Sequence, residues 1–167
     1  MIDRSTLPYR PCVGVTLFNP EGLVFIGRRR PGAGVEANDR EWQMPQGGID
    51  EGEEPLAAAV RELFEETNVS AAEMLAEAPG WFTYDLPADF VGRGWTQRFR
   101  GQTQKWFAFR FTGPLSQIDV LRPGEGKHSA EFDSWRWEKL ENLPALIVPF
   151  KRPVYEQVVA AFRHLAG

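Results

Sequence analysis

Pro55-Leu56-Ala57-Ala58-Ala59-Val60-Arg61-Glu62-Leu63-Phe64-Glu65-Glu66-Thr67 is the stretch on which the reading of this chain turns. It predicts a helix. Pro55 suits the first helical turn. Asn68 follows where the helix must stop, and asparagine tolerates the left-handed conformation used there. At about 100° per residue, Glu62, Glu65 and Glu66 stand at i, i+3 and i+4 and project from one face. Leu56, Val60 and Leu63, with Thr67 near them, fall toward the opposite side, where the three apolar residues are expected to form the core-facing stripe. Like charges one turn apart destabilise a helix by a few tenths of a kcal/mol per pair. The cluster also lies toward the C-terminal part of the helix, where the macrodipole disfavours negative charge. A hard divalent cation reverses that argument: Mg²⁺ binds carboxylate oxygens, keeps several waters and bridges phosphates. Arg61, beside the cluster, is placed to brace one carboxylate and hold its rotamer. Taken alone, an acidic helix face is more often merely solvated, so the residues before it matter.

Those residues are Gly47-Gly48-Ile49-Asp50-Glu51-Gly52-Glu53. With Arg61-Glu62-Leu63-Phe64-Glu65-Glu66 they resemble the Nudix box: Gly, five residues, Glu, seven residues, Arg-Glu, an aliphatic residue, any residue, Glu-Glu, any residue, Gly, an aliphatic residue. Gly47, Glu53, Arg61, Glu62, Leu63, Glu65, Glu66 and Val69 match in register. The departure is Asn68, where the family has Gly, and only a small stability cost is expected from it. The resemblance implies an α/β fold, an α/β/α sandwich with a central mixed sheet in which a loop–helix–loop presents the box. It also implies hydrolysis of a nucleoside diphosphate linked to another group. By position it makes Glu65 and Glu66 metal ligands, and Glu62 a ligand or the general base. Glu53 is expected to form a salt bridge or join the metal shell. Gly47 or Gly48 is expected to give a carbonyl to the metal or simply to make a tight turn. The cofactor implied is Mg²⁺, with Mn²⁺ or another divalent cation as a substitute.

The resemblance runs beyond the box. Tyr9-Arg10-Pro11, Trp42 to Gly48, Gly101 to Phe107, Glu131 to Trp137 and Pro149 to Tyr155 look like the bacterial RNA pyrophosphohydrolases. They look equally like the related dinucleoside polyphosphate hydrolases of bacteria and plants. The implied partner is thus a 5′-triphosphorylated RNA end or a nucleotide polyphosphate such as diadenosine tetraphosphate. A non-catalytic nucleotide-binding module is disfavoured, because Glu53, Glu62, Glu65 and Glu66 are all retained. Glu131, in a loop before a strand, is expected as a further ligand or the base. Arg10, Arg28, Arg29, Lys105, Lys151 and Arg152 are candidates to grip phosphate, at least three of them near the substrate. Gln46 is a further candidate substrate contact. Phe150 and Tyr84 are candidates to stack on a base, whereas Trp42, Trp106, Trp135 and Trp137 read as packing residues.

The rest of the chain fits one domain, 1–167, with one core. Val13 to Phe18 and Leu23 to Gly27 read as a hairpin about the turn Asn19-Pro20-Glu21-Gly22. Arg30 to Glu41 reads as a loop, Trp42 to Gly48 as a short extended stretch, and Gln104 to Thr112 and Ser134 to Trp137 as strands. Pro153 to Leu165 reads as a terminal helix with Val154, Val158, Val159 and Phe162 as its apolar stripe. That order suggests a mixed sheet packed between helices. Pro79 to Gly101 reads as a long functional loop.

The net charge of −4 first argues against a polyphosphate substrate, but its distribution does not. Asp50, Glu51, Glu53, Glu54, Glu62, Glu65 and Glu66 are seven of the 23 acids; without them 16 face 19 Lys and Arg. One acidic focus thus sits in a mildly basic protein, which suits a cation bound beside an anion. No long basic stripe points to extended duplex nucleic acid. No apolar run reaches the roughly 18 residues of a membrane span, and the N-terminus lacks a signal-peptide layout. Cys12, the only cysteine, reads as a core thiol. Together these features fit the cytoplasm.

Overall fold

The computed structural model describes residues 3–30, 42–88 and 94–167. Except for Arg30, the expected loop from Arg30 to Glu41 lies outside them. Among these residues eight strands form one mixed sheet: β1 (Tyr9–Phe18), β2 (Val24–Arg29), β3 (Trp42–Gln43), β4 (Gln46–Gly48), β5 (Ala72–Glu77), β6 (Phe82–Asp85), β7 (Gly101–Phe111) and β8 (Phe132–Glu138). Among the described residues three α-helices join them: α1 (Pro55–Thr67), α2 (Leu143–Leu146) and α3 (Arg152–Phe162).

The spine of the sheet is the parallel pair β1 and β7, in register from Tyr9 opposite Gly101 to Phe18 opposite Arg110. Both are long and nearly continuously buried, as expected for strands covered on both faces. Val13, Val15 and Leu17 face α1 with Phe107, Phe109 and Phe111. Phe18, Trp106 and Ala108 face the other way, into the core capped by Val154, Tyr155, Val158, Val159 and Phe162 of α3. Each end of the spine takes a different partner. β1 pairs with β2 at Phe18 and with β4 from Cys12 to Gly14, while β7 pairs with β6 at one end and β5 at the other. That splaying opens a crevice beside β4, under the C-terminal half of α1.

Two expectations are corrected here. Pro79 to Gly101 is not all loop, because Phe82–Asp85 forms β6 with Phe82 and Tyr84 buried and Thr83 and Asp85 exposed. The buried face of α1 is also rotated from the stripe expected. Ala58, Ala59, Leu63, Glu66 and Thr67 are buried, whereas Leu56 and Val60 are 39% and 50% exposed. Small alanines let the helix lie close on the sheet, and the shift of about 50° in helical phase carries Glu66 into the interface.

The helix ends as expected, with Asn68 left-handed (φ 71°) and its N–H donating to the Phe64 carbonyl at 2.9 Å. Its side chain does more than tolerate that geometry. Oδ1 accepts from the Glu125 N–H at 2.7 Å and Nδ2 donates to the Gln117 carbonyl at 3.0 Å. The end of α1 is thereby tied to the segment that leads to Glu131.

Candidate active site

A cavity of about 530 Å³ opens between α1, β4 and the segment before β8. Glu62, Glu65, Glu66 and Glu131 line it together with Arg10, Arg29 and Lys151 and with Gln43, Gln46 and Gln102. Gly47, Gly48, His128 and Ser129 complete the lining.

Arg61 organises the acidic side. Its Nε donates to Glu53 at 2.8 Å and its Nη1 to Glu62 at 2.8 Å and Glu65 at 3.1 Å. Its Nη2 donates to Glu53 at 2.9 Å and to the Gly48 carbonyl at 2.8 Å. The expectation of one braced carboxylate is therefore exceeded, because the planar guanidinium presents several donors at once. Glu53 takes the salt-bridge role, and the hydrogen bonds from Arg61 hold its carboxyl down at about 2. Of the two glycines expected as alternative carbonyl donors, Gly48 already accepts a hydrogen bond from Arg61. Gly47 is glycine for a local reason. A Cβ there would strike the Glu62 carboxylate, as one on Gly48 would strike the Arg10 guanidinium.

Burial pushes the Glu62 carboxyl up to about 7 against the pull of Arg61. Burial first, then the charges of Glu62 and Glu131, pushes Glu66 well above the usual carboxylate range. Glu66 accepts one hydrogen bond, from the Gln46 N–H at 3.3 Å, and its buried Oε2 has no partner. A buried carboxylate oxygen left unsatisfied costs on the order of 1–3 kcal/mol or more. Among the described residues no three acid, imidazole or thiol groups already converge as a ligand set. The donor chemistry nonetheless fits a hard cation: the oxygens belong to carboxylates, and their charge is poorly offset by the protein alone.

Of the six cations expected as candidates to grip phosphate, Arg10, Arg29 and Lys151 line the cavity together. Burial pulls Lys151 down to about 8. Five expected contacts fall elsewhere. Arg28 lies next to Arg29 across a register shift and pairs with Asp133 at 2.8 Å. Lys105 donates to the Ala78 carbonyl at 2.6 Å and reaches Glu77 at 3.8 Å. Arg152 is exposed and donates to the Pro144 carbonyl at 2.8 Å. Tyr84 is 6% exposed, with its ring 5.6 Å from that of Phe150. Phe150 packs on the α3-side core, so neither ring lines the cavity. Alternation along a strand explains Arg28 and Lys105, since adjacent residues point to opposite faces. Trp106 is fully buried, while Trp42, Trp135 and Trp137 pack half-buried, as expected. Cys12 is buried, and desolvation raises its thiol to about 11.

Sequence reasoning missed Gln43, Gln102, His128 and Ser129. The alternation of Gln102, Gln104 and Trp106 was the available signal for Gln102. His128 Nε2 lies 3.9 Å from Glu65 and shares the Asn68-tethered segment with Glu131, a proximity that appears only in the fold.

The model of the NUDIX domain matches residues 8–158, most of the chain and all of the cavity lining. The chain belongs to the NUDIX family. A NUDIX relative named RNA pyrophosphohydrolase, from Bradyrhizobium sp. (strain ORS 278), is 61% identical over 167 residues, covering 100% of this chain and 99% of its own. One of the same name from Rhodopseudomonas palustris (strain ATCC BAA-98 / CGA009) is also 61% identical, with the same coverage. Among solved structures, an E. coli dihydroneopterin triphosphate pyrophosphohydrolase aligns with TM-score 0.63 at 19% identity, covering 92% of this chain and 98% of that one. A C. elegans Ap4A hydrolase binary complex aligns with TM-score 0.61 at 15% identity, covering 93% and 98%. Those likenesses carry the NUDIX fold and nothing finer. Among the described residues no helix is long and apolar enough to cross a membrane.

Proposed function

We propose that this NUDIX protein hydrolyses a phosphoanhydride at the 5′-triphosphorylated end of RNA, leaving a 5′-monophosphate, and works as one domain over 1–167 in the cytoplasm. The observation that carries the reading is the one cavity lined by four carboxylates together with Arg10, Arg29 and Lys151. Full-length identity of 61% to proteins named for that reaction supports the substrate. In this reading Glu62, Glu65, Glu66, Glu131 and the Gly47 carbonyl hold Mg²⁺. When bound, the cation offsets phosphate charge and acidifies water.

The chain's own side chains do the rest. Arg10, Arg29 and Lys151 draw the polyphosphate against the acidic side and hold it in line. Arg61 keeps Glu62 and Glu65 turned toward the cavity. Glu62, with its raised proton affinity, or Glu131, on the open side, takes the proton from the attacking water. The buried floor under Glu66 excludes bulk water from that end.

The test is turnover of 5′-triphosphorylated RNA and of diadenosine tetraphosphate side by side, with and without Mg²⁺. The reading expects Mg²⁺-dependent release of phosphate or pyrophosphate from RNA. A kcat/KM on RNA orders of magnitude below that on diadenosine tetraphosphate would overturn it. Glu66→Gln is expected to cut kcat by at least about a hundredfold.

A further inference from the structure

Gln102, Gln104 and Trp106 alternate along β7 and so share one face of the strand. An indole N–H donates a hydrogen bond and cannot accept one. Trp106 Nε1 donates to Gln104 Oε1 at 2.9 Å. That bond fixes which way round the Gln104 amide lies, because its oxygen must face the indole. Gln104 Nε2 then donates to Gln102 Oε1 at 2.8 Å and to Gln46 Oε1 at 3.3 Å. Both of its protons are used. The next two amides are thereby turned as well, with their oxygens toward Gln104 and their NH₂ groups away from it. Gln46 and Gln102 line the cavity, whereas Gln104 and Trp106 lie behind them.

We propose that Trp106 is a positioning residue that sets the direction of this glutamine relay, so that Gln46 and Gln102 offer N–H donors to the phosphate oxygens of the substrate. The inference rests on the polyphosphate reading of the cavity. It completes a wall in which Arg10, Arg29, Lys151 and two amides all donate. A phosphate oxygen only accepts, so an amide oxygen turned toward it would repel. Rotating an amide by half a turn exchanges donor and acceptor with almost no change of shape. Packing alone therefore does not choose the orientation; a donor-only partner does. Room for that partner is provided across the sheet by Gly14, where a Cβ would run into the Trp106 ring.

The experiment compares Trp106→Phe and Gln104→Glu with the parent protein. Steady-state turnover of 5′-triphosphorylated RNA is measured together with side-chain amide spectra of ¹⁵N-glutamine-labelled protein titrated with pyrophosphate in EDTA. Trp106→Phe keeps an aromatic ring but releases the relay, and KM is expected to rise about fivefold to tenfold with kcat within about twofold. Gln104→Glu accepts from Trp106 and from both neighbouring NH₂ groups, which turns their oxygens to the cavity, and its KM is expected to rise further. Pyrophosphate should shift the Gln46 and Gln102 NH₂ resonances in the parent and shift them less in Trp106→Phe. A lower Tm in Trp106→Phe with unchanged KM and unchanged shifts would mean a purely structural tryptophan and overturn the proposal. If a buried charge keeps Gln104→Glu from folding, Gln104→Met removes the relay without one and must reproduce the Trp106→Phe pattern. A parent protein that turns over no RNA but shows the Trp106-dependent shifts would sink the substrate reading and leave the relay standing.

Discussion

A single methyl group at Gly47 separates what the acidic side does from what holds the fold. The Cβ of Gly47→Ala would overlap the Glu62 carboxyl group, which is the far end of a flexible side chain. Backbone pairing of Gly47 with Val13 is untouched, so the strain falls on Glu62. To escape, Glu62 gives up its 2.8 Å bond from Arg61. A charge-assisted bond of that kind contributes on the order of 1.5–3 kcal/mol. Escape also relieves part of the desolvation that raises its carboxyl to about 7. The two terms oppose, leaving a net loss of about 1 kcal/mol, or about 2–4 °C in Tm for a chain of this size. Activity has no such compensation. A displaced Glu62 no longer faces the cavity, and kcat on 5′-triphosphorylated RNA is expected to fall at least about a hundredfold. Scanning fluorimetry and a phosphate-release assay read the two quantities separately. In the Glu62→Ala background the same methyl meets no carboxyl group, so its Tm effect should disappear in a double-mutant cycle. A Gly47→Ala protein with kcat within threefold of the parent would refute the reasoning. So would a Tm loss above about 10 °C that persists in the Glu62→Ala background.

Three further outcomes follow from the same geometry. In EDTA the folded Glu62 carboxyl titrates near 7, above its ordinary 4.5, so the folded state binds the extra proton. Stability is therefore highest below about pH 4.5 for this group and is lost as pH rises to about 7, by up to about 3 kcal/mol; the raised Glu66 acts in the same sense, so Glu62→Gln should reduce that slope in thermal melts without abolishing it. The lowered Glu53, Asp85 and Glu138 carboxyls act in the opposite sense, below their ordinary values, outside this window. Asn68→Gly keeps the left-handed cap but loses the bonds to Glu125 and Gln117, which should cost about 1–2 kcal/mol and speed amide exchange from Glu125 to Ser129; unchanged exchange would discount the tether. Cys12, buried with its thiol raised to about 11, should stay unmodified by a disulfide reagent at pH 8 until denaturant is added.

Much of the site was legible because helical pitch and box spacing act over short range. α1 begins at Pro55 and ends at Thr67 as expected, its i, i+3, i+4 carboxylates Glu62, Glu65 and Glu66 line one cavity, and Arg61 bonds the first two of them. What was not legible depends on partners far away in sequence. Ala72–Glu77 is rich in helix formers yet is an edge strand, because pairing with β7 overrides intrinsic preference. β6 carried a readable alternation, but its Gly, Pro and Arg surroundings pointed to a loop. Arg29 enters the cavity and Arg28 does not because of strand parity at an irregular step, which charge pattern alone does not resolve. The buried face of α1 was misjudged because alanine scores weakly as hydrophobic, although its small size decides how closely a helix can approach a sheet.

The parallel pairing of β1 with β7 has a consequence for how the molecule is made. Residues 9–18 find their main partner only in residues 101–110. On a ribosome the first strand, apolar through most of its length, waits for about nine-tenths of a hundred further residues before its neighbour emerges. Contacts of such long range form slowly and leave sticky surface uncovered meanwhile. The half-made chain can build the α1 helix early, but Gln102 reaches the crevice only when β7 docks. The nascent protein therefore gains its donor wall late, and a chain truncated before residue 101 should aggregate instead of working at reduced rate.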